Sequence, residues 1–285
     1  MYKVGMSLNL LNQREEMFAQ CAAAGIDCVE ISCSYLKEAE QIDFASIKEW
    51  SDKYSVKLWS FHLPFGHFDQ IDISSTNDEL RENSVKIMGS YMEKAAGIGI
   101  DKFIIHPSGE PIAKEDREDR MIAAKRSLKS LAQKASELGG ILCVEDLPRT
   151  CLGRDSSDIL ELISADDRLM VCFDTNHLLK EENADFIKRI GKRIVTLHVS
   201  DYDKTNERHW LPGEGMIDWQ SLLSALKEIG YSGVWLYEIS LQCPKTIIRE
   251  RDLNCSDFKR NASELFAGEK PTVFSTHKET LGLWE

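Results

Sequence analysis

Short apolar runs alternate along this chain with longer stretches in which apolar and charged residues recur at helical spacing. Runs such as FIIHP, ILCVE, VCFD and IVTLH are rich in Val, Ile, Leu and Phe, the composition of strands buried on both faces. Strands are predicted at Lys3 to Ser7, Asp27 to Ser32, Lys57 to His62, Lys102 to His106, Ile141 to Glu145, Leu169 to Asp174, Ile194 to Ser200 and Val234 to Glu238. The stretches between them predict helices at Gln13 to Ala24, Phe44 to Tyr54, Asp78 to Ala96, Asp116 to Leu138, Ser157 to Ser164, Ala184 to Ile190, Trp219 to Ile229 and Thr246 to Leu265. Several end at glycine just before the next strand, as in AAAGID, SELGGI and KEIGYSG, where a residue tolerant of positive φ closes a helix.

Eight strand-helix pairs build a parallel sheet, and its natural closed form is a (β/α)8 TIM barrel. The alternative, an open doubly wound sheet, would carry a glycine-rich phosphate loop after a strand, and none is visible. The chain of 285 residues suits one barrel, because such barrels run to about 250 residues as a single unit. The expected organisation is an α/β single domain over residues 1–267, followed by a tail or arm over residues 268–285.

Closing the sheet changes what the strand ends mean. Six runs finish in a residue able to bind a metal: His62, His106, Glu145, Asp174, His198 and Glu238. In a barrel these gather at the carboxyl ends of the strands, the face that carries the chemistry. Glu145, Asp174, His198 and Glu238 come from four consecutive strands and could converge on one divalent cation. Oxygen ligands with a single nitrogen suit Mn, Mg or Co and tolerate Zn. Each residue alone reads more simply as a helix cap or a satisfied polar group. Together, three buried carboxylates repel one another unless a cation or a proton intervenes. His62, His106, His177 and His209 form an outer layer, readable either as further metal ligands or as contacts to a sugar. Phe65 and Trp210 are candidate stacking surfaces, Asp201 and Asp203 weaker candidate ligands, and Arg149 and Arg154 candidate anion contacts.

Charge and cysteine usage narrow the partners. A formal net charge of -12 opposes a polyanion, whose binding grows with each phosphate neutralised by Lys or Arg, so nucleic acid is disfavoured. The eight cysteines contain no CxxC pair and read as reduced thiols. The start shows neither a basic segment leading into an apolar one nor a membrane anchor, so the cytoplasm is the expected location.

With FDTNH, LHVSDY and RHWLPGEGMIDW, the succession of strand-end residues resembles the xylose isomerase-like superfamily of TIM barrels over roughly Tyr2 to Phe266. That superfamily includes sugar isomerases, ketose 3-epimerases, sugar-acid dehydratases and endonuclease IV. The resemblance implies Glu145, Asp174, His198 and Glu238 as shared metal ligands. It also implies Glu145 and Glu238 as proton carriers on opposite faces of a substrate, and His177 as a substrate contact. His62, His106, His177 and His209 are similar to positions that hold extra zinc in endonuclease IV, although Glu207 stands where that nuclease has aspartate. A homodimer or homotetramer is a further implication.

The expected function is therefore a metal-dependent isomerase or epimerase acting on a sugar or sugar phosphate, with the enediolate stabilised by the cation. One rival uses the same site for dehydration of a keto-polyol. The other is a zinc phosphodiesterase holding up to three Zn ions. A barrel that keeps its metal and only binds is a third alternative.

Overall fold

The computed structural model describes residues 2–277. Eight parallel strands form one sheet: β1 (Lys3–Leu8), β2 (Cys28–Ser32), β3 (Lys57–His62), β4 (Lys102–Ile105), β5 (Ile141–Glu145), β6 (Met170–Asp174), β7 (Ile194–His198) and β8 (Val234–Tyr237). Their order is β7-β6-β5-β4-β3-β2-β1-β8. The seam between β7 and β8 closes through an isolated parallel bridge, Val199 to Tyr237. There Val199 N–H donates to Leu236 C=O at 2.8 Å and Glu238 N–H to Val199 C=O at 3.2 Å. The result is the expected single-domain (β/α)8 barrel, and the predicted strand ends shift by no more than a residue or two.

Helices α1 (Glu15–Ala24), α2 (Leu36–Ala39), α3 (Phe44–Tyr54), α4 (Asp78–Gly97), α5 (Arg117–Glu137), α6 (Ser156–Ile163), α7 (Asn183–Ile190), α8 (Trp219–Glu228) and α9 (Cys255–Phe266) surround the strands. Side-chain caps set several of their starts. Asn77, Asp155, Asp218 and Asn254 each accept a backbone N–H of the first turn, satisfying donors that the helix itself leaves unpaired. The main core lies between strands and helices and includes Val29, Ile31, Phe61, Phe103, Val144 and Phe173.

Alternate strand residues face the barrel axis instead. Cys28, Val234 and Leu236 form one small apolar cluster, and Ile104, Cys143 and Cys172 another. The strand period of two then aims the next inward residue of several strands at the open end. Cys143 is followed by Glu145, Cys172 by Asp174 and Leu236 by Glu238. The apolar plug is thus also a floor beneath a ring of ionisable groups.

The last predicted helix is the main correction. Thr246 to Leu265 does not form one helix: Ile247–Arg249 is a short strand, β9, paired antiparallel with β10 (Ser275–His277). The helix begins only at Cys255, where Asn254 and Asp257 form a reciprocal capping box. The β-branched pair Ile247 and Ile248 favours pairing in a strand. Of the predicted tail, residues 268–277 run back along α9, with Thr272 N–H and Oγ1 bonded to Glu264. The remainder lies outside the described residues.

Candidate active site

Glu145, at the end of β5, is the hub. Its side chain is buried, with His198 Nδ1 3.0 Å from Oε1 and His62 Nε2 3.0 Å from Oε2. His106 Nε2 lies 3.4 Å from Oε2. Burial opposes charge on this carboxyl, yet His198, His106 and His62 together hold it well below the usual carboxylate range. Asp174 behaves oppositely. Burial, reinforced by Glu238 and Glu145, pushes its carboxyl up from its ordinary value against the pull of His177. One oxygen of Asp174 accepts the Asn176 N–H at 2.7 Å; the other, Oδ2, is buried with no hydrogen-bond partner.

The orientation of the imidazoles follows from what their other nitrogen meets. A backbone carbonyl can only accept, so it fixes the ring nitrogen facing it as N–H. Leu63 C=O takes His62 Nδ1 at 2.9 Å, Asp146 C=O takes His177 Nδ1 at 2.7 Å, and Glu238 C=O takes His209 Nδ1 at 3.1 Å. Each of these histidines is left with Nε2 as its free ligand atom. His198 is reversed: Nε2 lies 3.1 Å from Glu30 Oε2, and Nδ1 faces Glu145 and, at 3.5 Å, Glu238 Oε2. Glu30 is fully buried and also accepts Ser7 Oγ at 2.9 Å and Ser60 Oγ at 2.7 Å. An acceptor behind each imidazole is the arrangement that holds metal-ligating histidines in one tautomer.

These groups fit a divalent cation. One potential ligand atom from each of Glu145, Asp174, His198 and Glu238 lies within 4.8 Å of the others. Asp174 belongs to this set, and its Oδ2 is buried without a hydrogen-bond partner. A carboxylate oxygen 3.0 Å from the Nε2 of His62, whose Nδ1–H is already committed, calls for a proton or a cation between them. His62, Glu145 and His198 form a second such group, and His177, Glu207 and His209 a third. All eight residues singled out in the sequence therefore meet at one end of the barrel.

Over them lies a cavity of about 150 Å³. Phe65 forms one wall, stacked on His106 at 4.2 Å between ring centroids and edge-on to His62 at 5.4 Å. Glu110, Arg149 and Glu207 line the same cavity above the strand ends. Other sequence candidates take structural roles. Trp210 is buried, donates its indole N–H to Thr246 Oγ1 at 2.8 Å and packs on His277, so it offers no stacking face to the cavity. Asp201 accepts the N–H groups of Tyr202, Gly213 and Ile217 and the indole N–H of Trp219. Asp203 pairs with Arg208 at 2.8 Å. Arg154 lies against Asp155 and Asp158 near the start of α6.

A family model described as xylose isomerase-like TIM barrel matches residues 18–252. The chain belongs to this family. Among xylose isomerase-like relatives, it is 24% identical over 235 residues to a D-psicose 3-epimerase of Enterocloster bolteae, covering 76% of this chain and 73% of that one. It is 25% identical over 177 residues to a probable endonuclease 4 of Finegoldia magna, covering 55% and 61%. The crystal structure of a D-tagatose 3-epimerase-like protein superposes with a TM-score of 0.77 at 23% identity, covering 93% of this chain and 97% of that one; at that identity the likeness bears on the fold alone. Among the described residues, no helix is long and apolar enough to cross a membrane.

Proposed function

We propose that the protein is a divalent-metal-dependent sugar isomerase or epimerase in which Glu145 and Glu238 move a proton to and from carbon. The observation that carries this reading is the convergence of two glutamates, on β5 and just past β8, on the one Nδ1 of His198. Glu145, Asp174, His198 and Glu238 would hold the cation. When bound, the cation supplies positive charge beside the reacting carbons and lowers the cost of the negative charge left by proton removal.

The chain's own groups supply the rest. Glu145 is kept in the ionised form by three imidazoles, which also lower its basicity. Glu238, with 22% of its side chain exposed against 1% for Glu145, faces the more open side of the cavity. One glutamate enters ionised and takes the proton; the other enters protonated and delivers its own proton to the opposite face, which inverts the centre, and the pair resets by proton exchange with solvent. His177, at the cavity wall, contacts the substrate, and Phe65 screens the floor from water. If a hydroxyl next to the carbanion leaves with a proton from His177, the same first step gives dehydration.

The test is solvent deuterium incorporation into ketoses by the Mn²⁺-loaded protein, followed by proton NMR. Exchange at the carbon next to the carbonyl is expected, and is expected to vanish in Glu145→Gln and in Glu238→Gln. Exchange retained in either variant removes that glutamate from the mechanism.

A second reading is favoured by the His177, Glu207 and His209 group, which offers a separate set of ligand atoms. Under a zinc phosphodiesterase of the endonuclease IV type, the chain would carry two to three zinc ions and cleave abasic-site DNA. His209→Ala separates the two readings: it costs one bound zinc in the nuclease and mainly raises KM in the sugar enzyme. Metal content per chain, by mass spectrometry of protein purified without added metal, is the first figure needed. About one ion supports the sugar enzyme.

A further inference from the structure

The outer end of the cavity is built from charged groups that have already chosen partners. Arg149 stands four residues beyond Glu145 with its backbone in the left-handed region, φ 56°, a conformation costly for a side chain with a Cβ and maintained only by its surroundings. Its guanidinium is gripped on several sides. Nε donates to Glu110 Oε2 at 3.0 Å and Nη2 to Glu110 Oε1, a two-pronged pair. Nη1 donates to Asn206 Oδ1 at 2.7 Å, and Nη2 also meets Glu207 Oε1 at 3.3 Å. The other oxygen of Glu207 lies 3.4 Å from His177 Nε2. Both basic groups at this end are thus engaged by carboxylates: Arg149 by Glu110 and Glu207, and His177 by Glu207.

Three loops contribute to this arrangement: Glu110 follows β4, Arg149 follows β5, and Asn206 with Glu207 follows β7. The clasp spans the cavity above the strand ends, where the part of a substrate farthest from Glu145 and Glu238 must lie. Glu110, Arg149 and Glu207 line the same cavity as Glu145 and Glu238, which sets the clasp beside the far end of a sugar held at the two glutamates.

We propose that the Glu110–Arg149–Glu207 clasp is the specificity element of the site, selecting a neutral, unphosphorylated sugar. This rests on the sugar reading given above. Hydroxyls can donate to Glu110 and Glu207 without breaking the clasp. A terminal phosphate meets two carboxylates and a guanidinium that is already satisfied, and juxtaposed like charges at a desolvated contact are strongly unfavourable. The clasp therefore gives Arg149 a purpose other than capture of an anion: it fixes the carboxylates that read the hydroxyls.

The experiment uses Mg²⁺-loaded full-length protein and a panel of ketopentoses and ketohexoses, each beside its terminal phosphate ester. Saturation-transfer NMR reads binding without requiring turnover, and deuterium incorporation reads chemistry. At least one free ketose is expected to bind, with its phosphate ester bound about tenfold or more weaker. Glu110→Gln removes one carboxylate and loosens the grip on Arg149, and is expected to narrow the gap. Glu110→Ala provides a second test should the amide rebuild the clasp. Phosphate esters that bind as well as their parent sugars in the wild type overturn the proposal, as does an unchanged ratio in both variants. A pocket that takes neither class overturns it too. Binding of free sugars without any deuterium exchange instead leaves the clasp standing and defeats the proton-transfer reading.

Discussion

Glu30 shows how a single side chain can govern a site without touching its reacting end. It accepts from two serines and faces His198 Nε2, so the imidazole presents Nδ1 toward Glu145 and Glu238. A bare carboxylate in the middle of the run CVEIS was itself a signal, since burying a charge without partners is prohibitive. A scan of strand ends passes over it because Glu30 sits inside β2. Glu30→Gln keeps an oxygen acceptor but removes the charge, and should weaken divalent-metal affinity by about 10- to 100-fold, measured by competition with a chelating dye. Unchanged affinity would show that the serines and packing alone orient His198. Asp174→Asn makes the complementary case. Its partnerless Oδ2 is the atom best placed for a cation, so the variant should lose both bound metal and rate. Full metal content and full rate in that variant would exclude Asp174 as a ligand. The strand-end residues themselves were legible because a period of two leaves one inward position at the rim of each strand, and an ionisable residue there has little reason to be apolar.

At the scale of elements, the loop after β7 is the part that sequence periodicity could not describe. Asp201 and Trp210 pair with each other through both backbone bonds, 2.7 and 3.0 Å, forming a hairpin whose tip carries Asn206 and Glu207. Asn176 Oδ1 accepts the Arg208 and His209 N–H groups at 2.7 and 3.3 Å, tying that hairpin to the loop after β6 and holding His209 at φ 51°. Beneath it, Thr246 and His277 clamp Trp210, so the short β9–β10 ribbon, missed as a helix, supports the loop that bears His209. Pairing of three residues, Ile247–Arg249, with the distant segment Ser275–His277 leaves no local period to read. Arg249 and Glu214 lock this ribbon with a fully buried pair at 2.8 Å. Arg249→Met strands the Glu214 carboxylate and should cost about 3–5 kcal/mol, read as a shift of the denaturant midpoint. Glu214→Leu combined with Arg249→Met should recover most of that loss. A midpoint unmoved in the single variant would mean that water or another group reaches Glu214.

At the scale of the whole molecule, the barrel is weakest in regular pairing where its candidate ligands are densest. Neighbouring strands from β8 through β1 to β7 share ladders of two or more residue pairs, with register shifts in β2–β3 and β6–β7, whereas β7 and β8 meet through the isolated bridge at Val199 and Tyr237. His198 precedes that bridge and Glu238 follows it, so a cation held by both would fasten the seam as well as serve chemistry. Removing the metal should then do more than stop turnover. A cation present at a thousand times its Kd contributes about 4 kcal/mol of stability, and for a chain of this size each kcal/mol moves Tm by roughly 2–4 °C. Chelation is therefore expected to lower Tm by about 10 °C, with recovery on adding back Mn²⁺. The loss should also be local. Amide hydrogen exchange at Val199 and Glu238, whose N–H groups carry the seam, should accelerate more in the metal-free protein than exchange in β3 and β4 on the far side. Equal acceleration around the ring would make the metal a global ligand with no special hold on the seam, and an unchanged Tm would argue that the carboxylates of Glu145, Asp174 and Glu238 are neutralised by protons and neighbouring imidazoles instead.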